Sequence, residues 1–223
     1  LLGGGILQVR VHASPRVGII PTGTEMIPPG QEPEDGQIID SNSGMFAALV
    51  QQYGGEPDRF PIIHDDYEKI RETVKEAVSR DDLVIVNAGS SAGTEDYTVH
   101  VLRELGEVLI HGVAIKPGKP VILAIVDHKP VIGLPGYPVS AYIDFETFVK
   151  PVIELFTGSS LKARPLEQAV ISKRLVSSLK HKEYVRVKVG EVNGRLVASP
   201  LARGAAAATS LVKADGVCII DQN

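Results

Sequence analysis

The stretch Leu83-Val84-Ile85-Val86-Asn87-Ala88-Gly89-Ser90-Ser91-Ala92-Gly93-Thr94-Glu95-Asp96 decides the fold. Its first four residues are uniformly apolar, the pattern of a strand inside a parallel sheet covered on both faces. A glycine- and hydroxyl-rich loop follows, and a helix is expected to begin near Tyr97. Upstream, residues 16–20 read as a second short buried strand, broken by Pro21-Thr22-Gly23-Thr24-Glu25. Asp40-Ser41-Asn42-Ser43 offers N-caps for a helix with Met45, Phe46, Leu49, Val50 and Tyr53 on its apolar side, and Gly54-Gly55 stops it. A strand at residues 60–63 and a helix carrying Ile70, Val74 and Val78, opened by an Asp65/Glu68 capping box, complete one strand-helix unit.

Downstream, strands are expected at residues 108–113, 121–126 and 130–133, the last two forming a hairpin around Asp127-His128-Lys129. Gly133-Leu134-Pro135-Gly136-Tyr137-Pro138 then leads into a helix with Val139, Tyr142, Ile143, Phe145 and Phe148, ending near Gly158. From about Arg164 the texture changes to short β segments at residues 169–171, 184–189 and 195–198, with Val192-Asn193-Gly194 as a hairpin turn. The predicted architecture is α/β: a three-layer α/β/α domain with a mostly parallel sheet over residues 15–160, followed by a small all-β domain over residues 161–223. Residues 1–14 precede these domains, and a start at Leu1-Leu2 without an initiator methionine reads as that of a fragment or a processed product.

Composition excludes several function classes. A net charge of −4 argues against a broad nucleic-acid surface, which needs a lysine- and arginine-rich face. The longest apolar run, residues 121–126, falls far short of the roughly 20 residues that span a bilayer, and no signal peptide is visible, so a cytoplasmic protein is expected. Cys218, the single cysteine, reads as a buried strand thiol. The six histidines are scattered without zinc-site spacing.

Ligands of open parallel sheets bind outside the carboxyl ends of the strands, so the loops after residues 20 and 86 should face one cleft. The second loop supplies Gly89 and Gly93 for close backbone approach, hydroxyls from Ser90, Ser91 and Thr94, and the free amides of a helix N-terminus. It is either a phosphate or carboxylate seat or a tight strand-to-helix crossover capped by Thr94. Lys116 and Lys119 flank a Pro-Gly turn and form either an anion clamp or two solvated surface lysines. Carboxylates of Glu25, Glu95 and Asp96 beside such a seat suggest magnesium; Glu95 and Asp96 could instead only complement the dipole of the helix that follows, a reading that fits Glu25 less well, and Asp65 and Asp66 are better explained as helix caps. The Pro-Gly turn at residues 133–138 is either a rigid turn whose backbone amides touch a ligand and whose Tyr137 stacks on a flat ring, or a stiff connector with Tyr137 exposed.

Five motifs occur together in order: Pro21-Thr22-Gly23-Thr24-Glu25, Asp40-Ser41-Asn42, residues 89–98 with Asp96-Tyr97-Thr98, Lys116-Pro117-Gly118-Lys119-Pro120, and residues 133–140 from Gly133 to Ser140. The ordered set resembles the molybdopterin molybdotransferase (MoeA) family over residues 16–153, and the tail resembles that family's small C-terminal β domain. The resemblance implies insertion of molybdate into adenylylated molybdopterin with release of AMP, assisted by Mg2+, in a cytoplasmic protein that is a homodimer at full length. It also implies site roles. Asp96, Glu25, Lys116 and Lys119 would be catalytic, Glu25 and Asp96 also metal-holding. Thr22, Gly23, Gly89, Ser90, Ser91, Gly93, Thr94, Pro135, Gly136, Tyr137, Pro138 and Ser140 would line the pterin and nucleotide site. This chain departs from the family at Thr24, where an aspartate is more common, at Gly89-Ser90-Ser91-Ala92, where Gly-Gly-Val-Ser is usual, and at Tyr137, where asparagine is usual. The rival expectations are a molybdopterin adenylyltransferase and a non-catalytic molybdopterin-binding scaffold module.

Overall fold

The structure, a computed structural model, describes residues 1–87, 97–159, 165–177, 180–205 and 208–222. The first half of the chain forms β1 (Arg16–Pro21), β2 (Met26–Ile27), β3 (Ile38–Ile39), α1 (Asn42–Gln52), β4 (Glu56–Arg59), α2 (Tyr67–Arg80), β5 (Leu83–Asn87) and α3 (Tyr97–Leu105). Next come β6 (Glu107–His111), β7 (Ile115–Lys116), β8 (Ile122–Val126), β9 (Lys129–Leu134), α4 (Pro138–Asp144) and α5 (Lys150–Phe156), with a π-helical turn at Phe145–Val149 joining the last two. The remainder forms β10 (Val170–Ile171), β11 (Lys182–Val192), β12 (Arg195–Pro200), α6 (Thr209–Lys213) and β13 (Gly216–Ile220).

The main sheet has the order β4-β1-β5-β9-β8-β6. Strands β4, β1, β5 and β9 run parallel, and β8 and β6 add antiparallel pairs at one edge. Side chains alternate between its faces. Val84 and Val86 join Ile70, Val74, Val78, Val99 and Leu102 of α2 and α3 in one core, whereas Leu83 and Ile85 meet Phe46, Val50, Phe145, Val149 and Ile153 from the opposite helical layer. That makes three layers and explains the uniformly apolar β5. The β8–β9 hairpin turns at Asp127 and His128, both with positive φ (47° and 63°), as a right-twisted two-residue hairpin turn requires.

Two expectations are corrected here. The strand before α2 is the polar Glu56–Arg59, not residues 60–63. Pro61 has no N–H for the ladder, and beyond Arg59 the pairing with the β1 end is reduced to Phe60 N on Ile19 O and a bridge at Ile63, whose N bonds Pro21 O and whose O accepts from Gly23 N. As an edge strand, β4 tolerates Pro57 and charged residues. Helix α2 is capped not by Asp65 but by Asp66, whose extended backbone lets its carboxylate accept from Lys69 N at 3.1 Å.

The C-terminal strands form a second sheet in the order β10-β12-β11-β13, with Asn193 (φ 50°) and Gly194 (φ 71°) turning the β11–β12 hairpin. Cys218 lies on β13 but is only half-buried, a correction to the buried thiol expected. Strand β7, just before the lysine turn, pairs in parallel with β11, Ile115 opposite Lys182 and Lys116 opposite Glu183. The lysine turn therefore hangs between the two sheets. Among the described residues no helix is long and apolar enough to cross a membrane.

Candidate functional site

Because β1, β5 and β9 are adjacent and parallel, the loops leaving their carboxyl ends emerge side by side. One buried residue ties the ends of β1 and β5, the start of α1 and the turn after β9 together. Asn87, the last residue of β5, donates through Nδ2 to Pro135 O at 3.0 Å and Leu134 O at 3.3 Å, and its Oδ1 accepts from Asn42 Nδ2 at 3.0 Å. Asn42 Nδ2 also donates to Gly136 O at 2.8 Å, and Thr22 N and Oγ1 both donate to Asn87 O, at 2.8 and 3.3 Å. Thr22, Asn42, Asn87, Pro135 and Gly136 are thus locked into one hydrogen-bonded unit. Asp40, also buried, accepts from Ser43 N at 3.0 Å and fixes the entry to α1.

At the next turn Gly23 has φ +148° and Glu25 folds over it, with Oε2 2.9 Å from where a Cβ would stand. Only glycine leaves room for that carboxylate so close to the backbone. Thr24 N and Oγ1 donate to Asp65 Oδ2 at 3.2 and 3.4 Å, and Asp65 N donates to Thr24 Oγ1 at 3.2 Å. Asp65 therefore brings a carboxylate to the turn rather than to a helix end.

The turn after β9 enters α4 through Tyr137, about half exposed, with Pro138 at the first helical position. Ser140 is buried within that first turn. Val139 N donates to Ala205 O at 3.0 Å, so the segment after β12 reaches α4. Arg186 holds that segment in place. Fully buried on β11, it donates from Nε to Ser210 Oγ at 2.8 Å and from Nη2 to Ala202 O at 2.5 Å and Gly204 O at 3.2 Å. Burial lowers its pKa from the ordinary arginine value, and the ring of acceptors compensates the buried charge.

Lys116 and Lys119 are both exposed, with the Lys116–Pro117 peptide bond cis between them and Gly118 at φ +113°. Lys116 Nζ lies 3.9 Å from Glu183 Oε1, and Arg203 Nη1 lies 3.5 Å from Glu183 Oε2, so the buried Glu183 carboxylate serves both cations. Thr22, Gly23, Glu25, Pro135, Gly136, Tyr137, Pro138 and Ser140 are placed at the carboxyl ends of β1 and β9. Gly89, Ser90, Ser91, Gly93, Thr94 and Asp96, with Glu95, lie outside the described residues. Among the described residues no group of three or more His, Cys, Asp or Glu side chains forms a metal cluster.

Comparison with known proteins agrees with this arrangement of sheets and loops. The model of the family described as "Probable molybdopterin binding domain" matches residues 18–155, and that of the "MoeA C-terminal region (domain IV)" matches residues 168–223. The chain belongs to the MoeA family. A putative molybdopterin biosynthesis protein of Methanocaldococcus jannaschii is 35% identical over 98% of this chain and 54% of its own length. A molybdopterin molybdenumtransferase of Nostoc is 40% identical over 68% of this chain and 36% of its own. Among solved structures, a MoeA protein of Pyrococcus horikoshii superimposes with a TM-score of 0.80 at 34% identity, covering 94% of this chain and 51% of that one. The chain thus spans about half the length of relatives that match it from end to end.

Within this MoeA chain the structure adds residues that sequence reading passed over. Asn87 was legible only as the polar end of an apolar strand. Arg186 gave no signal of its burial, since it alternates in phase with Lys188 against Val185, Val187 and Val189 and so reads as part of a polar face. Asp65 offered none, since an aspartate before a helix reads first as a cap. It supplies a carboxylate to the turn at Thr24.

Proposed function

We propose that this chain is the central and C-terminal part of a molybdopterin molybdotransferase, with a molybdopterin-binding α/β domain at residues 15–160 and a β domain at residues 161–223. It inserts molybdate into adenylylated molybdopterin and releases AMP. The observation that carries this reading is the joining of the ends of β1 and β5, the turn after β9 and the start of α1 through Asn87 and Asn42, together with a lysine turn whose strand β7 pairs with β11 of the C-terminal sheet. Strand ends and a turn fixed to one another preorganise the rim of the seat, so less ordering cost remains when an anionic ligand binds. Ser90, Ser91 and the backbone of the loop at residues 89–96 receive phosphate and adenylate. Lys116 and Lys119 hold molybdate or phosphate and stabilise the charge that develops as AMP leaves. Tyr137, half exposed beside that seat, stacks on a flat ring of the substrate.

Magnesium suits this donor set, because Mg2+ needs only one or two protein carboxylates when substrate phosphates complete its shell. Glu25, folded over Gly23, and Asp96 would hold it, and the ion would neutralise phosphate charge. The full-length protein is read as a cytoplasmic homodimer. Molybdate-dependent AMP release by the full-length protein tests the reaction, with Asp96→Asn and Lys119→Ala expected to reduce it. ATP-dependent adenylylation of molybdopterin without molybdate would point to the sister adenylyltransferase instead, and pterin binding without AMP release to a scaffold.

A further inference from the structure

Asp144, the last residue of α4, takes no part in the hydrogen-bonded unit around Asn87. It is completely buried, and neither carboxyl oxygen has a hydrogen-bond partner among the described residues. Native folds rarely leave a buried polar group unpaired, and a position that does so calls for a reason. The carboxyl lies directly beneath the lysine turn: a Cβ built on Gly118 would fall 2.0 Å from Asp144 Oδ1 and 2.8 Å from Cγ. Gly118 sits between the two lysines, and its φ of +113° already favours glycine. Asp144 follows Ser140 by four residues, so one face of α4 carries both a candidate ligand hydroxyl and the support of the turn.

We propose that Asp144 is a positioning residue for the lysine turn, its carboxyl forming the floor on which Gly118 rests and so setting where Lys116 and Lys119 meet the anionic substrate. The inference rests on the reading of these lysines as oxyanion ligands. Burial pushes the Asp144 carboxyl up to about 9, so at neutral pH it is an uncharged acid that supports the turn without competing with the substrate for the ammonium groups.

The test is the steady-state kinetics of AMP release by the full-length protein at varied molybdate, with melting temperatures measured alongside. Asp144→Ala should raise the KM for molybdate about tenfold and lower kcat as well, because the lysines it misplaces both hold the anion and stabilise the charge that develops as AMP leaves. Asp144→Asn, uncharged and of the same shape, should restore KM to within about twofold of the parent. If Asp144→Ala does not accumulate as folded protein, Asp144→Ser reads the same KM with a smaller void. A KM unmoved by the truncation, whatever happens to melting, would overturn the proposal, as would failure of the asparagine to rescue it. Lys119→Ala separates the two levels. If it raises KM and Asp144→Ala does not, the positioning role alone fails; if Lys119→Ala also leaves KM unchanged, the lysine reading fails and the positioning role with it.

Discussion

Asn87 shows how much of this site depends on a single side chain. Its side-chain amide bonds to two segments, Asn42 and Leu134–Pro135, and its backbone carbonyl takes two bonds from Thr22. Asn87→Ala should therefore cost on the order of 2–4 kcal/mol, since several buried donors and acceptors lose partners at once. Urea denaturation measures that loss, and a change under about 0.5 kcal/mol, the size of an ordinary surface substitution, would show that the loops hold without it. Asp144 gives a second residue-scale expectation. With its carboxyl at about 9 in the folded state and near 3.9 when unfolded, the folded protein binds the extra proton throughout that window. Stability is thus highest below about pH 4 as far as this group is concerned, and falls as pH rises towards 9. Asp81 acts with the same sign, raised to about 6 by burial and by Asp58 against the pull of Arg16 and Arg80, but its window closes near pH 6. Above that, Asp144→Asn should flatten the decline of melting temperature with pH, and an unchanged slope between pH 6 and 9 would contradict the assignment. Neither residue was legible beforehand. Asn87 reads as the start of a turn, and the burial of Asp144 depends on the lysine turn lying over it, a contact between residues 26 positions apart.

At the scale of elements, what could be read was whatever local periodicity encodes. The apolar run of β5 and the 3.6-residue spacing of Ile70, Val74, Ala77 and Val78 place strand and helix correctly, because each buries its own face regardless of neighbours. Strand β4 escaped because its sequence, Glu-Pro-Asp-Arg, is that of an exposed edge, where pairing to β1 rather than side-chain burial makes the strand. Asp65 and Asp66 were indistinguishable as caps until their partners were known. Asp66→Ala should cost about 1 kcal/mol of stability as a lost N-cap. Asp65→Ala should instead spare α2 and loosen the Thr24 turn, seen as faster amide exchange at Thr24 with little change in melting temperature. Equal destabilisation by both would mean that Asp65 shares the cap. The lysine turn makes its own prediction: Gly118→Ala both strains a positive φ and drives a methyl into Asp144, so adding Asp144→Ala should relieve part of the loss. Additive losses in the double variant would rule out that contact.

Across the whole molecule, the C-terminal sheet is tied to the lysine turn and to α4 instead of merely following them. Strand β7 pairs with β11, Glu183 bridges Lys116 and Arg203, and Arg186 holds the segment whose Ala205 carbonyl meets α4. The α/β and β textures were visible in the chain, but their joint work on the lysine turn was not, since it depends on pairing across 65 or more residues. Replacing Arg186 by Met should leave Ala202 O, Gly204 O and Ser210 Oγ without their donor and lower stability by about 1–3 kcal/mol. It should also weaken ligand binding at a site it does not touch, by releasing the segment at α4. The most direct test of the account remains the reaction itself. Full-length protein incubated with adenylylated molybdopterin, magnesium and molybdate should release AMP at a rate that depends on molybdate and falls at least about tenfold in Lys119→Ala. AMP release that is absent, independent of molybdate, or unaffected by that substitution would contradict it.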